Sequence, residues 1–225
     1  MFSLLIVCEG PTDAVLVKAA FDNHLDDYVV TVLQPELSQI QDQGPFGGGW
    51  KGVRAWCQQV RRQGGLHQVL ARGDALVIHA DADIADDPEI ACRKDCPPAS
   101  ATTDAVRKVI KNWLDEDPIP DRTILCVPSK ATDAWAFVAL FPNDPMVGGI
   151  ECRDKPESLL VGRKPRLVRK KGSTYKKNRL TYEQSREIFR NQWKTITGTC
   201  TEAARFDADR AAVVSGHSGG PMRRR

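Results

Sequence analysis

An α/β fold, with a mostly parallel sheet covered by helices on both faces and a basic, partly helical C-terminal extension, is predicted by three observations. Short apolar runs suited to buried strands alternate with segments of helical periodicity up to about residue 141. Acidic residues follow the first and third of these runs directly. Charge is also divided along the chain: residues 1 to 150 carry 13 Lys or Arg against 21 Asp or Glu, and residues 151 to 194 carry 14 against 5.

Ser3 to Cys8 is the first apolar run, broken by Glu9-Gly-Pro-Thr-Asp13. Pro11 suits a first helical turn, and Ala14, Leu16, Val17, Ala20 and Phe21 continue at helical spacing. Tyr28 to Leu33 is β-branched and reads as a second strand, followed by a polar, Gly-rich loop from Gln34 to Gly49. Trp50 to Gln63 fits a helix, with Val53, Trp56, Cys57 and Val60 on one side. Ala75 to Ala80 is the third strand, and a helix from about Thr102 to Asp115 follows a loop. Thr123 to Val127 is the fourth strand, and Thr132 to Leu140 a short apolar helix. Beyond Pro142 the composition changes. Arg163 to Arg179 is basic and poor in apolar residues, which predicts a loop or a segment ordered by a partner. Helices are predicted over Tyr182 to Ile196 and Ala203 to Val214. The expected organisation is therefore a domain over 1–141, a basic extension over 142–214 and a disordered tail over 215–225.

The chain has 225 residues, 41% hydrophobic and 27% charged, which excludes disorder along its whole length. No run of 18 apolar residues occurs, so no transmembrane helix is expected. Seven cysteines are scattered over apolar and polar stretches, as reduced thiols usually are, and the expected compartment is the cytoplasm.

The acidic residues carry the chemistry. In an open parallel sheet, ligands bind beyond the carboxyl ends of the strands, where Glu9, Asp81 and Asp83 fall. Asp81 and Asp83 share a face if the chain there is extended, and neighbouring strands are roughly 5 Å apart. Three carboxylates that close call for a cation, and Mg²⁺ or Mn²⁺ takes such oxygen ligands. Asp13, one helical turn after Glu9, fits either a further ligand or a plain helix N-terminal residue. Acidic residues after strands also cap helices and shape turns. His79 shares the face of the aspartates by alternation, as a residue that orients water or as a core histidine.

An apolar strand ending in Glu9-Gly10 before a helix, with a later strand ending Asp81-Ala-Asp83, resembles the Toprim domain. That family is shared by topoisomerases, primases and small bacterial nucleases of the overcoming-lysogenization-defect type. Val7-Cys-Glu-Gly-Pro-Thr-Asp13 is similar to the nuclease version, and Pro128-Ser-Lys-Ala-Thr-Asp-Ala-Trp135 resembles small Toprim-like proteins of phage defence. The resemblance implies a four-stranded parallel sheet and Mg²⁺ or Mn²⁺ held by Glu9, Asp81 and Asp83, with Asp133 as a further ligand. It also implies a role as an antiviral defence or toxin effector, in which small Toprim proteins often pair with an ATPase.

The expected activity is metal-dependent hydrolysis of phosphodiester bonds in DNA or RNA, with Lys130 neutralising the leaving oxygen. Arg163, Lys164, Arg166, Arg169, Lys170, Lys171, Lys176 and Lys177 are expected to bind the nucleic-acid backbone. The alternative is a non-catalytic scaffold whose basic extension docks on nucleic acid or on an ATPase. Two motifs fail their structural context: Gly47-Gly-Gly49-Trp-Lys-Gly52 follows no strand, and no helix can follow the serine of Gly216-His-Ser218-Gly-Gly220.

Overall fold

Four parallel strands, β1 (Phe2–Val7), β2 (Tyr28–Gln34), β3 (Ala75–His79) and β4 (Thr123–Cys126), lie in the order β2-β1-β3-β4. The structure is a computed structural model and describes residues 1–35 and 46–218. Most of the predicted Gly-rich loop, residues 36–45, lies outside the described residues. Each strand is followed by a helical segment that returns the chain to the sheet's starting end, as parallel pairing requires. These include α1 (Pro11–Asp22), α2 (Gly49–Arg62), α3 (Leu66–Leu70), α4 (Ser100–Leu114) and α5 (Asp133–Leu140).

Side-chain alternation divides the interior into two cores. Leu4, Ile6, Val77, Ile124 and Cys126 face α1 and α5, while Leu5, Val7, Leu76, Ile78 and Leu125 face α2, α3 and α4. Both faces of the central strands are buried, so their sequences are continuously apolar. Among the described residues, no helix is long and apolar enough to cross a membrane.

The C-terminal extension shares the first of these cores. Its chain forms the hairpin β5 (Val168–Lys171) and β6 (Thr174–Lys177), then α6 (Arg179–Gln184), α7 (Arg186–Asn191), α8 (Trp193–Thr199) and α9 (Thr201–Ser218). Trp193 meets Trp135 of α5 edge-on with ring centroids 5.9 Å apart, and Phe206 stacks on Trp135 at 6.1 Å. Leu160, Leu167, Tyr182 and Phe189 join the same cluster. The boundary expected at 141/142 therefore runs through one continuous core.

Three local expectations are corrected. The basic segment is an antiparallel hairpin, with Arg169 opposite Lys176 and Lys170 opposite Tyr175; its anchor is the buried pair Leu167 and Val168. The tail expected from Ser215 is helical through Ser218, and His217 packs edge-on to Phe2 with centroids 5.1 Å apart. Residues 219–225 lie outside the described residues. Cys96 and Cys152 form a disulfide across a Cα separation of 5.4 Å, and Cys8, Cys57, Cys92, Cys126 and Cys200 are free, so the thiols are not all reduced.

Candidate metal centre

In a sheet ordered β2-β1-β3-β4 the chain leaves β1 toward one edge and β3 toward the other, which opens a crevice beyond their carboxyl ends. Val7 of β1 lies beside Ile78 of β3, so the segments that follow them enter the crevice together. One delivers Glu9 and, in the first turn of α1, Asp13; the other delivers His79 and Asp81. The segment after β4 closes the third side with Thr132 and, in the first turn of α5, Asp133.

Hydrogen bonds fix these groups. Glu9 Oε1 accepts the Asp81 backbone N–H at 2.8 Å. Thr132 bridges two acids: its backbone N–H donates to Asp81 Oδ1 at 3.2 Å, and its hydroxyl donates to Asp13 Oδ1 at 2.6 Å. Donor atoms of Asp13, His79 and Asp81 all lie within 4.8 Å of one another, and all three residues are buried. Asp133 accepts the Tyr182 hydroxyl at its Oδ1, and its Oδ2 pairs with Lys177 Nζ at 2.7 Å. Lys177 also stands 3.6 Å from Asp13 Oδ1.

A divalent cation fits this donor set. His79 is 0% exposed, and neither ring nitrogen has a hydrogen-bond partner, although Nε2 lies 3.2 Å from Asp81 Oδ1. An imidazole buried without partners is costly, and a ligand bond relieves the cost. Two carboxylates with one imidazole suit Mn²⁺ better than Mg²⁺, which prefers oxygen throughout.

The electrostatics agree with a site short of positive charge. Burial pushes the Glu9 carboxyl well above the usual range, and the charges of Asp81, Asp83 and Asp13 add to that. Asp81 is raised by burial despite the counter-pull of His79. Asp13 goes the other way: burial raises it, but Lys177, His79 and the Thr132 hydroxyl together hold it below the ordinary value. For His79, burial disfavours the charged ring, yet Asp81 and Asp13 raise it overall. Lys177 is likewise opposed by burial and held well above the lysine range by Asp133, Asp13 and Asp81.

Asp83 lies beside Asp81, but not by strand alternation. The strand ends at His79, and Ala82–Asp86 forms a 3₁₀ turn, which breaks the two-residue alternation. Asp83 lies exposed at the mouth of a cleft of about 290 Å³, shared with Asp81, Asp133, Glu157, Tyr175 and Lys177. The surrounding protein and Asp81 push its carboxyl up to about 7. A raised carboxyl makes the folded state bind protons more tightly than the unfolded one. Its contribution is full at low pH and falls as pH rises from about 4 to 7. Unfolding in urea with EDTA is thus expected at a lower midpoint at pH 8 than at pH 5. Solvent screening of Asp83 keeps the difference modest. Mn²⁺ at Asp13, His79 and Asp81 is expected to narrow the difference, because its charge favours the deprotonated Asp83 nearby; equal midpoints in EDTA would count against the acidic cluster.

Lys130 does not serve the cluster. Its side chain is buried, and Nζ pairs with Asp154 at 2.9 Å. Arg163 is also engaged, by Asp144 at 2.6 Å and by the rings of Phe137 and Phe141. Lys164, Arg166, Arg169, Lys170, Lys171 and Lys176 are exposed and form no ion pair among the described residues. Lys177, expected among these surface cations, points inward as the counter-charge of Asp13 and Asp133.

The sequence reading missed Thr132, Tyr182 and the inward turn of Lys177. His79 carried a usable signal, since it lies two residues before Asp81 on a strand; Tyr182 carried none, being 49 residues from Asp133. No protein-family model, curated protein or solved structure matches the chain.

Proposed function

We propose that the chain is a metal-dependent nuclease that hydrolyses phosphodiester bonds of DNA or RNA, in the manner that its resemblance to the Toprim family implies. The observation that carries this reading is the shared cleft: Asp81 of the cluster lines it with Asp83, Asp133 and Glu157, and Ser173, Thr174, Tyr175 and Lys177 of the basic hairpin form its wall. Lys155 and Lys177 line the cleft beside the carboxylates, where a phosphodiester's charge would otherwise be repelled, and the exposed cations elsewhere on the hairpin attract the flanking backbone.

Asp13, His79 and Asp81 hold the metal, with Mn²⁺ or Mg²⁺ as the candidates. When bound it supplies Lewis acidity to a phosphoryl oxygen and a more acidic water. Glu9 orients Asp81 through the backbone N–H of that residue. Lys177 places a cation at the cleft wall to meet charge on the phosphate, and Tyr182 fixes the Asp133 carboxylate that anchors it. Asp83 and Glu157 line the cleft and offer acceptors to an attacking water. We place the protein in the cytoplasm, as an effector of antiviral defence or a toxin.

The test is cleavage of labelled DNA and RNA panels with Mg²⁺, Mn²⁺ or EDTA. Cleavage that requires the metal supports the nuclease. A second reading, a scaffold for nucleic acid or for an ATPase, is favoured by one observation: Lys177 already neutralises Asp13 and Asp133. Absence of both cleavage and Mn²⁺ binding selects that reading.

Backbone binding by the hairpin has its own signature. Changing Lys170, Lys171 and Lys176 to alanine is expected to weaken binding to all sequences alike. It should also reduce the slope of log affinity against log salt by about 2 to 3. Fluorescence anisotropy from low to high salt measures it, and an unchanged slope would remove the hairpin from the interface.

A further inference from the structure

A second, larger cavity lies at the other end of the sheet. It measures about 1090 Å³ and is bounded by α4, the start of β4 and α9. Thr123, which opens β4, lines it, so the cavity meets the sheet at an amino end of a strand, away from the metal centre at the carboxyl ends. Its size is at the top of the range of small-molecule sites, roughly 300–1,000 Å³.

Two polar atoms on residues lining it have no hydrogen-bond partner. Arg107 Nη1 and Thr123 Oγ1 make no hydrogen bond, although both residues are only 7% exposed. The guanidinium is fixed in direction, because Glu202 holds Nη2 at 2.7 Å. Asp104 forms an ion pair with Nη1 at 3.6 Å, too long for a hydrogen bond, and is itself held more closely by Arg205 at 2.5 Å. Four more cations line the same cavity, of which Lys111 is paired with Asp117 and Arg205 with Asp104. Lys108 is exposed and forms no ion pair among the described residues, and Arg122 gives Nη1 to the Gly73 carbonyl at 2.9 Å. A buried guanidinium nitrogen without a hydrogen bond, beside these two, suits an anion with several acceptor oxygens.

The rest of the lining is not that of a bare phosphate site. Ile124, Leu125 and Val213 supply an apolar wall, and Asp121 and Asp209 supply acceptors that a simple anion has no use for. Hydroxyl and amino donors next to a planar apolar body would satisfy both. We propose that this cavity binds a mononucleotide, with its phosphate on Arg107, Lys108 and Arg122 and its nucleoside against Thr123 and the apolar and acidic walls. The ligand is either a free nucleotide or the terminal nucleotide of a strand, since both present this chemistry.

Calorimetry on the full chain with the common nucleoside 5′-monophosphates, inorganic phosphate and a 5′-phosphorylated dinucleotide tests this. At least one monophosphate is expected to bind saturably and more tightly than inorganic phosphate. A dinucleotide that binds as tightly as its monophosphate identifies the strand end as ligand; one that fails to bind identifies the free nucleotide. Lys108→Ala with Arg122→Ala is expected to weaken binding at least tenfold, about 1.4 kcal/mol. Both side chains are exposed, so the fold should hold. Thr123→Val is nearly isosteric and removes a hydroxyl that has no partner, so it is expected to weaken binding about fivefold without lowering the thermal midpoint of the empty protein. The Asp13→Asn, Asp81→Asn variant should bind as the wild type does. The proposal is overturned by absence of saturable binding up to about 1 mM, by equal affinity for inorganic phosphate, by binding that ignores the cavity variants, or by binding lost with the metal ligands.

Discussion

The Asp13→Asn, Asp81→Asn double variant is expected to bind Mn²⁺ at least about a hundredfold more weakly than the wild type and to lose metal-dependent cleavage altogether. Both residues supply donor atoms within 4.8 Å of each other, and asparagine keeps the shape while removing the charge that attracts the cation. Isothermal calorimetry reads the first effect, and single-turnover cleavage the second. His79→Phe separates a ligand from an ordinary core histidine. The ring is fully buried and Nε2 stands 3.2 Å from Asp81, so phenylalanine is expected to keep the fold at some cost in stability and to lower the affinity for Mn²⁺. Wild-type affinity in the His79→Phe protein would remove His79 from the centre.

A comparably large effect belongs to stability. Lys177→Met leaves Asp133, 1% exposed, and Asp13 without their counter-charge, and the cost in metal-free protein is expected to be about 3–5 kcal/mol. Mn²⁺ should restore part of it by supplying positive charge in the same cluster. Lys176→Met is the control, because Lys176 is exposed on the opposite face of the same strand; its effect should stay within about 0.5 kcal/mol. Urea unfolding in EDTA decides, and equal midpoints for the two variants would mean that Lys177 does not neutralise the cluster. The lysine's folded-state pKa is raised, so its contribution is complete throughout the neutral range and is lost only as pH climbs through the raised value. Any pH dependence between about 4 and 7 therefore comes from the carboxylates and, toward the top of that range, from His79, whose raised value acts in the same direction.

The α/β class and its parallel sheet could be read from the apolar runs, because strands buried on both faces carry no polar alternation to mislead the eye. Glu9, Asp13 and Asp81 were legible for a related reason: topology fixes where a parallel strand ends, and residues directly after it have little freedom to go elsewhere. Asp83 reaches the cleft that Asp81 lines through a 3₁₀ turn, a local geometry that the two-residue spacing alone does not reveal. Lys130 and Lys177 exchanged roles for a reason that no local pattern contains. One lies beside Asp154, and the other ends the second strand of a hairpin whose path is set by Leu167 and Val168. The extension looked separate because its apolar residues are sparse, but Tyr182, Phe189, Trp193 and Phe206 are large enough to close a core on their own.

Lys177 and Tyr182 enter the site from the far end of the chain, and this sets an order in time. A ribosome delivers Asp13, His79 and Asp81 first, and domains fold from the N-terminal side as they emerge. Throughout that interval the nascent chain has its acids without their counter-charge, and Trp135 without Trp193 or Phe206 to cover it. The wall that would hold a phosphodiester is also missing. The centre is therefore completed only after Lys177 and Tyr182 have been made, well behind the acids that they meet.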